Sequence, residues 1–110
     1  MNNKEFVLKH CPTARDEKHK TRGAFPQTFY TICEKGIRIE RGETKAQVWA
    51  SAAVTVAERI VKAKYPDAEL LQPKTGVDFV VYDPISCAVL SKSAMPSKAW
   101  IKAAELIEKS

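Results

Sequence analysis

An α+β fold is predicted from three observations. Two short strand-like runs, Thr28 to Cys33 and Ile37 to Glu40, meet at Lys35-Gly36. A long amphipathic helix opens directly behind them at Thr44, and the same strand, strand, helix order recurs after residue 76, with Trp100 standing where the first helix carries Trp49. Strand runs interleaved with two helices point to two ββα units, an antiparallel sheet with both helices packed on one face. The other face of such a sheet is left open to partners.

Taken in order, Phe6, Val7 and Leu8 form a short apolar run, a strand or the start of a turn, which stops at Cys11-Pro12. Thr13 to Gly23 is polar and charged without a sustained apolar period, so it reads as a loop or a short exposed helix. Residues 1–25 are therefore expected to be a basic segment, partly disordered.

The first ββα unit is assigned to residues 26–65. Thr28 to Cys33 is rich in β-branched and aromatic residues, and Ile37-Arg38-Ile39-Glu40 alternates apolar with charged. Gly36 can take a positive φ, which pairs the two runs as a hairpin. Alternation then places Ile37 and Ile39 toward the core and Arg38 and Glu40 toward solvent. Thr44 offers an N-cap oxygen and Gln47, three positions on, completes a capping box. Trp49, Ala52, Ala53, Val56, Ala57 and Ile60 follow at spacings of three and four, and small residues in that stripe let the helix lie close to a sheet. The helix should end near Tyr65-Pro66, since the residue before proline avoids the helical region.

The second ββα unit is assigned to residues 76–110, after a polar link through Gln72, Pro73, Lys74 and Gly76. Val77 to Tyr82 and Cys87 to Leu90 read as strands around Asp83-Pro84, and a helix from Pro96 or Ser97 carries Trp100, Ala103, Ala104 and Ile107. Common descent of the two units and convergent packing demands both account for this recurrence.

A chain of 110 residues, 45% hydrophobic and 28% charged, suits one globular domain over residues 1–110. No apolar run reaches the roughly 20 residues that span a bilayer, and Met1 to Lys9 lacks a secretory pattern, so a cytoplasmic protein without membrane contact is expected. Cys11, Cys33 and Cys87 are odd in number and far apart, which suits reduced thiols, with Cys33 and Cys87 as small buried hydrophobes. The net charge of +5 sits at the two ends: residues 1–22 carry a surplus of three positive charges and residues 91–110 a surplus of two. Such an excess favours an anionic partner.

Catalytic and metal signals are weak. His10, Cys11 and His19 are the one grouping with zinc-ligand chemistry, and no further ligand stands at a characteristic spacing. No activated nucleophile, carboxylate pair or glycine-rich phosphate loop emerges, so neither catalysis nor a cofactor is expected. The basic residues carry the site prediction instead. Arg15, Lys18, His19, Lys20 and Arg22 can follow a phosphate backbone, and Arg38 and Arg41 on the outer side of the first hairpin extend the patch. Tyr30 or Tyr82 would supply a stacking surface if it faces the open side, and between Phe29 and Tyr30 the pattern leaves the choice open.

The strand Ile37-Arg38-Ile39 followed by Thr44-Lys45-Ala46-Gln47-Val48-Trp49 resembles the sheet-to-helix transition of the arm-binding domains of phage integrases, which insert a sheet into DNA. Cys11-Pro12-Thr13-Ala14-Arg15-Asp16, with the same helix behind it, is similar to a pattern in small open reading frames of tailed phages. The first resemblance implies DNA binding. The second implies a phage-encoded protein acting in the bacterial host cytoplasm, where the alternative role is to bind and inhibit a host or defence protein through apolar residues such as Val80, Tyr82 and Leu90.

Overall fold

The computed structural model describes residues 2–72 and 78–109. The polar link through Pro73, Lys74 and Gly76 and the expected strand start at Val77 lie outside the described residues. The chain is mixed α+β, in the order α1 (Asn3–His10), β1 (Arg15–Lys20), β2 (Thr28–Glu34), β3 (Ile37–Gly42), α2 (Lys45–Lys64), β4 (Glu69–Leu71), β5 (Phe79–Asp83), β6 (Ala88–Ser93) and α3 (Pro96–Lys109). Two compact units, Met1–Thr55 and Val56–Ser110, divide within α2. Each contains its own antiparallel three-stranded sheet, β1-β2-β3 in the first and β4-β5-β6 in the second, where the sequence suggested one shared layer. No helix among the described residues is long and apolar enough to cross a membrane.

In the first unit, the run Phe6-Val7-Leu8 is helical. Asn2 caps α1 by accepting from the Glu5 amide at 2.8 Å, which satisfies an amide that a helix start leaves unpaired, and Phe6 and Val7 are buried. Arg15 to Lys20 is a strand, where a loop or helix was expected. It has no apolar residue, so periodicity cannot reveal it; it exists because its backbone pairs with β2 from Arg15↔Cys33 to Lys20↔Thr28. Charged side chains are what an edge strand tolerates.

The β2–β3 hairpin turns at Lys35 and Gly36, both in the left-handed region at φ 52° and 80°, as a two-residue hairpin loop requires. A bulge then displaces the expected alternation. Ile32 pairs with Glu40 and Cys33 with Arg38, so Ile39 is the extra residue. Ile37, expected in the core, is instead 71% exposed, and Glu40, expected in solvent, is half-buried and accepts a hydrogen bond from Thr55 Oγ1 at 2.6 Å.

Helix α2 starts at the predicted cap, the Gln47 amide donating to Thr44 Oγ1 at 3.1 Å, but Gln47 Oε1 accepts from the amide of Glu43, one residue before the cap, at 3.2 Å, where a capping box would use the Thr44 amide. Its first half buries Val48, Trp49, Ala52 and Ala53. Trp49 donates its indole N–H to Asp16 Oδ2 at 3.0 Å, so α2 lies on the side of the sheet that carries Asp16 and Glu40.

In the second unit, Val56, Ala57 and Val61 from α2 and Ala99, Trp100, Ala103 and Ala104 from α3 are buried, as is Val81 at the centre of the sheet. Pro96 takes the first helical position, where its missing N–H costs nothing. Ser91 Oγ donates to the Ala99 carbonyl at 2.5 Å, which places α3 on the side of Ser91 and Val81. Cys87, expected to be buried in a strand, is an exposed turn residue at φ 57°, and Cys33 is only half-buried. Asp83 organises that turn, accepting from the Ile85 amide, the Ser86 amide and Ser86 Oγ. The Ser86 hydroxyl, at 2.6 Å, is the largest influence holding the Asp83 carboxyl below its ordinary pKa.

Candidate nucleic-acid interface

The face of the first sheet turned away from α2 follows from the ladder. Residues directly opposite one another share a face and side chains alternate along a strand. Arg15, Cys33 and Arg38 therefore form one row, Glu17, Thr31 and Arg41 the next, and His19 and Phe29 the last. Asp16, Lys18 and Lys20 point to the other side, with Tyr30 opposite Lys18. Four of the seven basic positions singled out in the sequence, Arg15, His19, Arg38 and Arg41, are brought together on one face. Lys18 and Lys20 are exposed but belong to the side that carries α2, and Arg22 is exposed in the loop after β1.

The residue that organises this face is Phe29. The His19 ring stacks on it with centroids 5.0 Å apart and planes 17° from parallel, and the guanidinium carbon of Arg41 lies 4.0 Å from its ring centre. Two stacked rings and a guanidinium lying over one of them thus come from three adjacent strands. Cation–π attraction is worth about 0.5–1 kcal/mol at an exposed site and more when desolvated. His19 Nε2 is also 2.9 Å from Thr31 Oγ1, which fixes the ring, and Thr31 is buried beneath these neighbours. Sequence pattern left Phe29 and Tyr30 undecided. The register decides it, because only Phe29 faces His19.

Electrostatically, the face holds three guanidinium groups and one carboxylate. Glu17 Oε1 is 3.7 Å from Arg15 Nε, and its Oε2 is 3.8 Å from His19 Nε2. The Arg15–Glu17 contact is an exposed ion pair, worth at most about 1 kcal/mol, so it leaves the arginines available to an anion. Two clefts flank the face. One, of about 680 Å³, is lined by Gln27, Thr28, Phe29, Arg41, Gly42, Glu43 and Thr44; the other, of about 420 Å³, runs past Arg15, Glu17, Cys33 and Lys35.

The corresponding face of the second sheet has different chemistry. Its rows are Glu69, Tyr82 and Val89, then Leu71, Val80 and Lys92. Leu71 and Val89 are exposed, and Lys92 is the one cation in these rows. Leu90 is not part of it, because the bulge in this ladder sets it apart and it lines a cleft with Ala103, Leu106 and Ile107 of α3. Tyr82 is held above its ordinary pKa, chiefly by its hydrogen bond with Cys87. His10, grouped in sequence with His19, lies at the end of α1 with its ring edge-on to Phe6 at 5.0 Å. Among the described residues no three His, Cys, Asp or Glu side chains converge in a way that could hold a metal ion. Against protein-family models, curated proteins and solved structures, the chain finds no match.

Proposed function

We propose that the protein is a small non-enzymatic binding module that holds nucleic acid on the face of its first sheet. The observation that carries this reading is the His19–Phe29–Arg41 stack beside Arg15 and Arg38. Together they give phosphate-seeking cations and a flat π surface on one sheet face, the combination that nucleic-acid-binding sheets use. Fluorescence anisotropy with labelled single strands and duplexes tests it. The expected result is micromolar or tighter binding that weakens as salt rises. No complex at low salt overturns it.

A second reading draws on the other sheet. The exposed Leu71 and Val89 beside Val80 and Tyr82 give an apolar face suited to a protein partner. A stoichiometric partner captured from nuclease-treated bacterial lysate, and lost on Val89→Asp substitution, supports this role.

The same proposal treats the two halves as copies of one ββα-based unit, each extended by a third strand. Five β2–β3 pairs, from Tyr30↔Gly42 to Glu34↔Ile37, correspond in order to five β5–β6 pairs, from Phe79↔Ser93 to Asp83↔Ala88, with the bulge after the third pair in both. Trp49 and Trp100 follow at the same offset, each buried with a lysine ammonium over its ring, Lys4 at 5.5 Å and Lys62 at 5.7 Å. Val7, Cys11-Pro12 and Ala14 have counterparts in Val61, Tyr65-Pro66 and Ala68, with matching amide-to-carbonyl bonds of 2.7 and 3.0 Å in each half. Packing demands alone do not require this agreement in register, bulge and helix exit.

A further inference from the structure

We infer that the ligand is a single strand, and that the cleft beside Arg41 receives one unpaired base with a preference for guanine. This rests on the nucleic-acid reading and narrows it. The His19–Phe29–Arg41 stack ends in an exposed guanidinium, and the 680 Å³ cleft lies against Phe29 and Arg41, walled by Gln27 and Glu43. That volume is in the range of small-molecule sites and admits a nucleobase. A base laid on the outer plane of Arg41 continues the stack by one member, a mode of contact that arginine planes and aromatic rings share.

A duplex does not meet these requirements. Its bases are stacked and paired on every side, so one enters the cleft only by flipping out, at a cost of a few kcal/mol. A sheet pushed into a duplex groove would also carry the Glu17 and Glu43 carboxylates toward phosphates. Against a single strand those carboxylates do the opposite, because an unpaired base presents its hydrogen-bonding edge. Glu43, an acceptor only, suits an edge with adjacent N–H donors. Guanine alone among the common bases offers two such donors side by side on its Watson–Crick edge. Gln27 lines the same cleft and supplies both a donor and an acceptor for the remaining edge atoms.

The experiment is fluorescence anisotropy on the full chain with three labelled probes: an oligothymidine, the same strand with one central guanine, and the guanine-bearing strand annealed to its complement. The expected order of affinity is guanine-bearing strand, then oligothymidine, then duplex. Phe29→Leu keeps an apolar side chain under Arg41 without a π face, and should weaken single-strand binding about tenfold and duplex binding, which stacks no base there, much less. Glu43→Gln should erase the guanine preference and strengthen oligothymidine binding by removing a negative charge. A duplex bound as tightly as the single strand overturns the inference while sparing the broader reading, and so does a guanine preference that survives Glu43→Gln. Failure of all three probes to bind at low salt overturns both. Circular dichroism melts of each variant confirm that the folded chain is what is measured.

Discussion

Trp49 on α2 donates its indole N–H to Asp16 on β1 at 3.0 Å, tying a helix to the edge strand of the sheet beneath it. The indole is buried, so its N–H has no ready access to water if the carboxylate is removed. Asp16→Leu should cost about 1–3 kcal/mol, and Trp49→Phe, which removes the donor and keeps most of the apolar bulk, about 1–2 kcal/mol. Urea melts of both single variants and the double variant measure it. A double-mutant coupling near zero would mean that the bond contributes nothing beyond packing.

On the cationic face, Arg15→Gln and Arg38→Gln should each lower the slope of log affinity against log salt by about one, if each engages one phosphate. Lys18→Gln and Lys20→Gln remove the same charge from the other side of β1, next to Asp16, and should change the slope much less. Salt titrations of the four variants on one labelled strand make the comparison. Equal slopes for all four would show that net charge, not placement on a face, governs binding.

Arg41→Lys separates charge from shape. Lysine keeps the cation and loses the planar group that lies over Phe29, and a flat guanidinium is what both the ring and an incoming base require. The salt slope should stay as in the native chain while single-strand affinity falls about fivefold to tenfold. Anisotropy at two salt concentrations suffices to see both effects.

These outcomes bear on how much of the molecule was readable beforehand. The hairpin at Lys35-Gly36, the helix cap at Thr44, the end of α2 before Tyr65-Pro66 and the start of α3 at Pro96 follow from local chemistry, and the structure has them there. The α+β class follows from the same elements. β1 was hidden because Arg15-Asp16-Glu17-Lys18-His19-Lys20 has no apolar residue to betray a period of two, and its partner strand begins beyond a seven-residue loop. Glu40 lies on the side opposite to that expected because a bulge, invisible to alternation, inserts Ile39 before it, whereas Ile37 keeps the side of Ile32 and is exposed as the last pair before the turn. For the site, the arginines were visible as charge. Phe29 was not, since only its pairing with His19 distinguishes it from Tyr30.

Asp83 gives the fold a pH dependence whose sign can be stated. Its carboxyl is held below the ordinary value, first by the Ser86 hydroxyl and then by the Ile85 and Ser86 amides, while burial works in the opposite direction. A group whose folded pKa is depressed stabilises the protein above its unfolded pKa, and that contribution is lost as pH falls through the folded value. The loss therefore begins near about pH 4, the ordinary aspartate value, and continues below it. Comparing thermal melts of the native chain and Asp83→Asn from pH 7 to pH 3, the Tm gap should be widest at neutral pH and close in acid. A gap independent of pH would mean that the turn is indifferent to the charge.

Gly42 ends β3 two residues before the helix cap, and it is the position where backbone approach leaves no room for a side chain. A Cβ added there would lie 2.8 Å from the Val48 amide nitrogen and 3.0 Å from its Cα, and backbone atoms inside a helix cannot swing away as a flexible side chain can. Gly42→Ala should therefore push α2 off the sheet or strain the junction, at about 1–3 kcal/mol. Ser93 occupies the matching place at the end of β6, opposite Phe79 as Gly42 is opposite Tyr30, and it already carries a Cβ. Its hydroxyl accepts from the Met95 amide at only 3.4 Å, so Ser93→Ala should cost less than about 1 kcal/mol. Chemical denaturation of the two variants decides the matter. If Gly42→Ala is as harmless as Ser93→Ala, the contact between Gly42 and Val48 is not what sets the distance between strand and helix in the first unit.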